Sequence, residues 1–232
     1  TGTGKTISTL FPALKVLGEE QAERIFYLTA KTITRSVAED AFKVLQDTGA
    51  DLKSVTLTAK DKICYLDKRL CNPGDCRYAN GYYNRINEAL WDLLHHENQM
   101  TREVIESYAR KHTICPFELS LDVSLFCDLI IADYNYVFDP IVYLRRFFDE
   151  NETESYFLVD EAHNLVNRSR EMYSASVTDQ LFVKLATLIP KRKRNMHKIL
   201  AKIISEFDLL KERSEREGWR FKHQQLPAES LI

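Results

Sequence analysis

An α/β fold, in which a parallel sheet is covered by helices on both faces, is predicted by two observations. Short β-rich runs recur at residues 24–29, 54–58, 129–132 and 156–160, all but the second largely apolar, and helical apolar spacing fills stretches between them. Strands without polar alternation are those buried on both sides, and strands alternating with helices imply parallel pairing.

The elements follow in order. Ile7, Leu10, Leu14 and Leu17 recur at helical spacing after a glycine-lysine turn, with Gly18 as a stop. Pro12 falls inside this helix and is expected to kink it or remove a hydrogen bond. The strand at 24–29 leads into a helix over 31–46, marked by Ile33, Val37, Phe42 and Leu45. After the strand at 54–58 the composition shifts to Cys, Asn, Pro, Gly and Tyr, followed by one helical stretch over 85–110, so 60–115 reads as an insertion. Residues 116–175 resume the α/β pattern. From 176 to 232 the strands stop, and two charged amphipathic helices flank the basic turn Lys191-Arg192-Lys193-Arg194.

The chain has 232 residues, 44% of them hydrophobic, which suffices for a sizeable core. No apolar run reaches the roughly 18 residues of a membrane span, and the first residues are polar, so neither insertion nor secretion is expected. A formal net charge of −2 leaves any nucleic-acid surface to a local patch. The five cysteines are an odd number in a chain that reads as cytosolic, which favours metal binding over disulfides.

Two motifs carry the chemistry. Thr1-Gly2-Thr3-Gly4-Lys5-Thr6 is the second half of a phosphate-binding loop, so a preceding segment is expected. In such a loop backbone amides surround the phosphates, Lys5 reaches the β and γ phosphates, and the Thr6 hydroxyl joins Mg²⁺, which prefers hard oxygen ligands. The second is Asp160-Glu161-Ala162-His163, directly after an apolar strand. Adjacent acids at a strand end suit hydrolysis of a nucleoside triphosphate: Asp160 to hold hydrated Mg²⁺, Glu161 to activate water. Together the motifs read as an ATP site, with Lys5, Asp160 and Glu161 catalytic.

Cys64, Cys71, Cys76 and Cys115 form a loosely spaced set whose last member stands alone. Soft thiolates suit zinc or an iron-sulfur cluster, and the spacing leaves both open. Cys127 lies in an apolar run and reads as a small buried hydrophobe. Around the set, Arg77, Tyr82 and Arg85 offer the mixture of cations and rings that a single nucleic-acid strand requires, although tyrosines packing a small metal module fit as well. His95, His96 and His112 lack a paired spacing with the cysteines and read as surface residues.

The pairing of TGTGKT with VDEAH, with four cysteines between them, resembles the superfamily 2 iron-sulfur DNA helicases of the XPD and DinG type. The segment from Tyr27 to Thr32 is similar to that family's DNA-contacting motif, and Ala132-Asp133-Tyr134-Asn135-Tyr136 precedes the acidic motif in the expected order. The resemblance implies an incomplete RecA-like motor domain, 1–59 and 116–175, interrupted by an iron-sulfur module, 60–115, and followed by the start of a helical arch, 176–232. It implies that Cys64, Cys71, Cys76 and Cys115 hold a [4Fe-4S] cluster. It assigns DNA contacts to Thr29, Lys31 and Thr32, makes the insertion a wedge beside a strand-bearing pore, and makes His163 a coupling residue. It further implies ATP and Mg²⁺ as cofactors, 5′ to 3′ movement on single-stranded DNA, forked duplex as substrate, a role in DNA repair, and a monomer in a bacterial cytoplasm, or in the nucleus if the source is eukaryotic. The fragment alone is expected not to unwind DNA. Two other readings stay open: a metal-stabilised nucleic-acid-binding module with a vestigial ATP site, and an RNA-directed ATPase with structural zinc.

Overall fold

The computed structural model describes residues 4–19, 21–30, 32–148 and 154–218. The chain divides into two compact units, Thr1–Tyr173 and Ser174–Ile232.

In the first unit five parallel strands form one sheet: β1 (Arg24–Thr29), β2 (Ser54–Thr56), β3 (Gln99–Met100), β4 (Leu129–Asp133) and β5 (Ser155–Val159), in the order β3-β2-β4-β1-β5. Consecutive residues of β1 point to opposite faces, and each face has its own core. Ile25 and Tyr27 join Leu129 and Ile131 beneath α1 (Gly4–Gly18) and α2 (Thr32–Asp47), where Leu10, Leu14, Ala38 and Phe42 are buried. Phe26 and Leu28 join Ile130 and Ala132 on the other face. Because both faces are buried, a one-residue slip of β1 would exchange the two sets, and this specifies the register Phe26 to Ile130 and Leu28 to Ala132. Helix α1 continues through Pro12 rather than ending there.

The second face is covered by the segment read as an insertion. After the one-turn α3 (Lys60–Ile63), the predicted single helix is two, α4 (Tyr82–His96) and α5 (Arg102–Lys111), with β3 between them. The break has a local cause. Glu97 is extended, Lys53 donates through Nζ to the carbonyls of Leu94 (2.9 Å) and Glu97 (3.2 Å) at the end of α4, and the Thr101 hydroxyl caps α5. Gln99 and Met100 then pair with Ser54 and Val55, so this stretch returns to the sheet as its edge strand. Helices α4, α5 and α6 (Pro116–Val123) contribute Leu93, Ile105 and Leu119 to the same core as Phe26 and Leu28. The unit is completed by α7 (Asn135–Phe138), α8 (Arg145–Phe148) and α9 (Leu165–Met172).

The second unit consists of α10 (Asp179–Leu188) and α11 (Arg194–Glu217), joined by the basic turn. They meet through Phe182 and Phe207, whose rings are 5.8 Å apart, and through an ion pair between Lys211 and Asp179. Among the described residues no helix is long and apolar enough to cross a membrane.

Leu28 is fully buried on β1, between β4 and β5, so Leu28→Ala should destabilise the chain by about 2 to 5 kcal/mol, read as a lowered midpoint in urea denaturation. Leu185→Ala, on the more exposed α10, should shift that midpoint far less.

Candidate functional site

All five strands run the same way, so the loops after their C-terminal ends gather at one edge of the sheet. There α1 begins at Gly4, and Lys5, Thr6 and Thr9 of its first turns face Tyr27, Val159 and Asp160 around a cavity of about 460 Å³. Amides at a helix start carry partial positive charge, which suits a phosphate. The Tyr27 phenol is pushed up by burial first, with a hydrogen bond to the Thr6 side chain opposing. Thr1, Gly2, Thr3 and Lys31, with the side chain of Thr32, lie outside the described residues.

The two acids are held differently. The Asp160 amide donates to the Leu28 carbonyl (2.9 Å), extending the sheet ladder by one residue. Glu161 then turns left-handed, with φ 52° and ψ 45°, an uncommon conformation for a residue with a Cβ. The fully buried Tyr134 explains how it is kept there: its hydroxyl donates to the carbonyls of both Asp160 and Glu161. Burial, then the carboxylates of Asp160, Glu161 and Asp133, raise the Tyr134 phenol, which keeps it a donor. Asp133 in turn accepts from the Asn135 amide (3.0 Å) and pairs with Arg168 (3.2 Å) and Arg35 (3.6 Å). The Glu161 and His163 side chains are exposed, with Nδ1 of His163 3.4 Å from Oε2 of Glu161. Reading of the sequence placed Tyr134 in a motif but missed its role, because the hydroxyl's partners lie on another strand.

Cys64, Cys71, Cys76 and Cys115 line a second cavity, of about 360 Å³, with Lys60 and Tyr82. Cys64 ends α3, and its neighbours are tied to α5: Tyr65 donates to the Glu106 carbonyl (2.7 Å) and Arg102 to the Lys62 carbonyl (2.8 Å). Cys71 is exposed and precedes a turn in which Oδ1 of Asn72 accepts from the amides of Gly74 and Asp75, both at 3.0 Å. The carbonyl of the buried Cys76 accepts from Ala79 (3.1 Å) and Asn80 (2.9 Å). Cys115 caps α6, and burial pushes its thiol up, opposed by the amides of Glu118 and Phe117. Among the described residues no three His, Cys, Asp or Glu side chains are close enough to hold a single metal ion. Cys127 is buried elsewhere and donates to the Val123 carbonyl (3.4 Å), in keeping with its apolar run.

Several side chains differ from their sequence-based expectation. Tyr82, expected to stack on a base, is buried and donates to Asp122 (2.7 Å). Arg85, expected on the DNA face, is turned inward onto the carbonyls of Asn80 (2.6 Å) and Thr113 (2.9 Å). Arg77 is exposed, stacks 4.7 Å over the Tyr78 ring and donates to its hydroxyl. Thr29 is buried at the end of β1 and hydrogen-bonded to Thr34. A third cavity, lined by Arg35, Lys60, Lys62, Phe117 and Tyr136, brings cations and rings together from four segments, a grouping no local pattern announces.

His112 is not a surface residue. Its Nε2 lies 2.7 Å from Oδ2 of Asp92, which Lys111 also reaches at 2.6 Å, and Nδ1 of the exposed His96 lies 3.3 Å from Oδ1 of the same carboxylate. Lys111 first, then His112, holds the Asp92 carboxyl down at about 2. A folded value below the usual one, about 3.9, stabilises above that value and is lost as pH falls through the folded value. The melting-temperature advantage of the native chain over Asp92→Asn should therefore be full above about pH 5 and should shrink between about pH 4 and pH 2 in thermal scans.

The DEAD_2 family model matches residues 29–182. The chain is similar to a regulator of telomere elongation helicase 1 homolog of Caenorhabditis briggsae, 26% identical over 157 residues, which is 68% of this chain and 15% of that protein. It is also similar to the general transcription and DNA repair factor IIH helicase subunit XPD of Dictyostelium discoideum, 23% identical over 211 residues, covering 78% of this chain and 26% of the relative. The chain thus spans about a quarter or less of the length of these curated relatives. Among solved structures, an XPD helicase superposes with a TM-score of 0.56 at 18% identity, over 89% of this chain and 35% of that one. A truncated XPD superposes with a TM-score of 0.55 at 19% identity, over 88% and 57%. At such identities the structures speak for the fold: an α/β unit with a five-stranded parallel sheet.

Proposed function

The chain belongs to the DEAD_2 family, the N-terminal domain of XPD- and DinG-type helicases, and from that premise we propose that it is part of the motor of an ATP-driven DNA helicase acting in DNA repair. The observation that carries this reading is the meeting of Lys5, Thr6 and Asp160, from opposite ends of the α/β unit, around one cavity at the C-terminal edge of a parallel sheet. A phosphate-binding cation and hard oxygen donors for Mg²⁺ at a helix start are what triphosphate hydrolysis requires.

In this reading the backbone of Thr1 to Thr6 and the Lys5 ammonium bind the β and γ phosphates. The Thr6 hydroxyl and Asp160 carboxylate share Mg²⁺, and Glu161 takes the proton of the attacking water. His163, exposed beside Glu161, relays the state of the site to a second motor domain. Lys31 and Thr32, which follow β1 in the sequence, with Arg77 on the cysteine-bearing segment, contact single-stranded DNA, where cations neutralise phosphates, and the buried Thr29 supports them through its bond to Thr34. Residues 176–232 begin a helical arch. In this reading the protein moves 5′ to 3′ as a monomer and opens forked duplex, in a bacterial cytoplasm or a eukaryotic nucleus.

Cys64, Cys71, Cys76 and Cys115 hold a [4Fe-4S] cluster in this reading. Four soft donors facing one cavity fit such a group. The Lys60 ammonium, near enough to Cys71 and Cys115 to be influenced by both, offsets thiolate charge. Cys64, Cys71, Cys76 and Cys115 would hold the group, which would supply one-electron exchange at a potential set by its surroundings.

Two measurements test this. The chain purified without oxygen should contain about four iron and four acid-labile sulfide per molecule, both lost in Cys115→Ser; one zinc and no sulfide would replace the cluster by a structural zinc. In a version extended to the length of the relatives, Glu161→Gln should retain ATP binding and lose about 100- to 10,000-fold in DNA-stimulated turnover. Undiminished turnover would remove Glu161 from the proposed role.

A further inference from the structure

We infer that Arg85 is the positioning residue that assembles the cysteine site, joining the loop of Cys76 to the segment of Cys115. This rests on the reading of the four cysteines as ligands of one group. Arg85 lies in the first turn of α4, where a positive side chain opposes the helix dipole and needs some other compensation. It has one in the backbone. Nη2 donates to the carbonyls of Asn80 (2.6 Å) and Thr113 (2.9 Å), with the Arg77 carbonyl further off at 3.4 Å, while Nε is buried without a hydrogen-bond partner, a cost these bonds must offset.

Those carbonyls stand at defined places. The Asn80 amide closes the turn that starts at the Cys76 carbonyl, so Arg85 grips the far end of the Cys76 loop. Thr113, two residues before Cys115, has φ 54°, a strained conformation for a β-branched residue that persists only when neighbours over-determine it. Its carbonyl is held by the same guanidinium. One side chain thus bridges two cysteine-bearing segments that are far apart in sequence, through the two N–H bonds of Nη2, carried at the end of an arm one bond longer than a lysine's.

Gly81 makes room for the bridge. It has φ +65°, and a Cβ there would lie 2.8 Å from Nη1 of Arg85. A methyl group at this position would press on the guanidinium and strain the turn at once. Arg77, by contrast, donates to a neighbouring tyrosine and stays exposed, so DNA contact and site assembly fall to different arginines.

The test uses this chain reconstituted with iron and sulfide without oxygen, comparing the wild type with Arg85→Lys, Arg85→Gln, Gly81→Ala, Arg77→Glu and Cys115→Ser. Iron and sulfide content, the rate of iron loss to a chelator, far-ultraviolet circular dichroism and binding to a single-stranded oligonucleotide are measured for each. Arg85→Lys, Arg85→Gln and Gly81→Ala should all lose iron about 10- to 100-fold faster, the usual cost of removing a partner that orients metal ligands. Arg77→Glu should keep its iron and bind the oligonucleotide more weakly. An Arg85→Lys chain that keeps iron as long as the wild type would overturn the inference, since charge alone would then suffice. So would an Arg85→Lys chain unfolded by circular dichroism beside a folded Cys115→Ser, since Arg85 would then serve the fold at large. A wild type that takes up neither iron nor sulfide removes the cysteine reading itself and the inference with it, a failure visible before any variant is compared.

Discussion

The structure depends on the parallel pairing of β1 between β4 and β5, buried on both faces. Parallel strands need crossovers, crossovers put helices on the faces, and the common strand direction sends every strand's following loop to the same edge. Lys5, Thr29, Asp133 and Asp160 come together there for that reason, though they belong to separate motifs. The two cores also make the arrangement intolerant of slippage, since shifting β1 by one residue would place Phe26 and Leu28 against α1 and α2 and leave Ile25 and Tyr27 on the other face.

At that edge the local backbone is strained where the proposed chemistry lies. A left-handed Glu161 requires its surroundings to hold it, and the buried Tyr134 hydroxyl does so by donating to two consecutive carbonyls. Tyr134 follows Asp133, which is itself anchored by Arg35 and Arg168. The end of β4 is therefore braced from α2 and α9 before it braces the acidic turn of β5. Losing the phenol would remove the Asp160 carbonyl's bond, at about 0.5 to 1.5 kcal/mol, while the Glu161 carbonyl would keep the Asn164 amide (2.9 Å).

The cysteine-bearing segment is not an appendage. It lends the sheet an edge strand and buries Leu93, Ile105 and Ile114 in the same core as Phe26 and Leu28, so a disturbance of the four-cysteine cavity reaches the sheet through close packing. Its loops have few apolar residues of their own and are held by side chains on carbonyls: Arg102 on Lys62, Tyr65 on Glu106, Arg85 on Asn80 and Thr113. Segments so rich in Gly, Pro and Asn have little propensity to order themselves, and these bonds supply the order.

The amino-acid sequence by itself determined four of the five strands, the helices over 4–18 and 32–47, the placement of Lys5 at a helix start and of Asp160 at a strand end, and the burial of Cys127. Each follows from periodicity or composition within a window of a few residues, which the chain's local stereochemistry enforces wherever it folds. Only the tertiary structure decided the strand order, the break at Glu97 that yields β3, the inward turn of Tyr82 and Arg85, the pairing of His112 with Asp92, and the grip of Tyr134 on Asp160 and Glu161. These rest on hydrogen bonds and ion pairs between residues many positions apart, and the energy of such contacts is set by which segments meet in space, a quantity no local window contains.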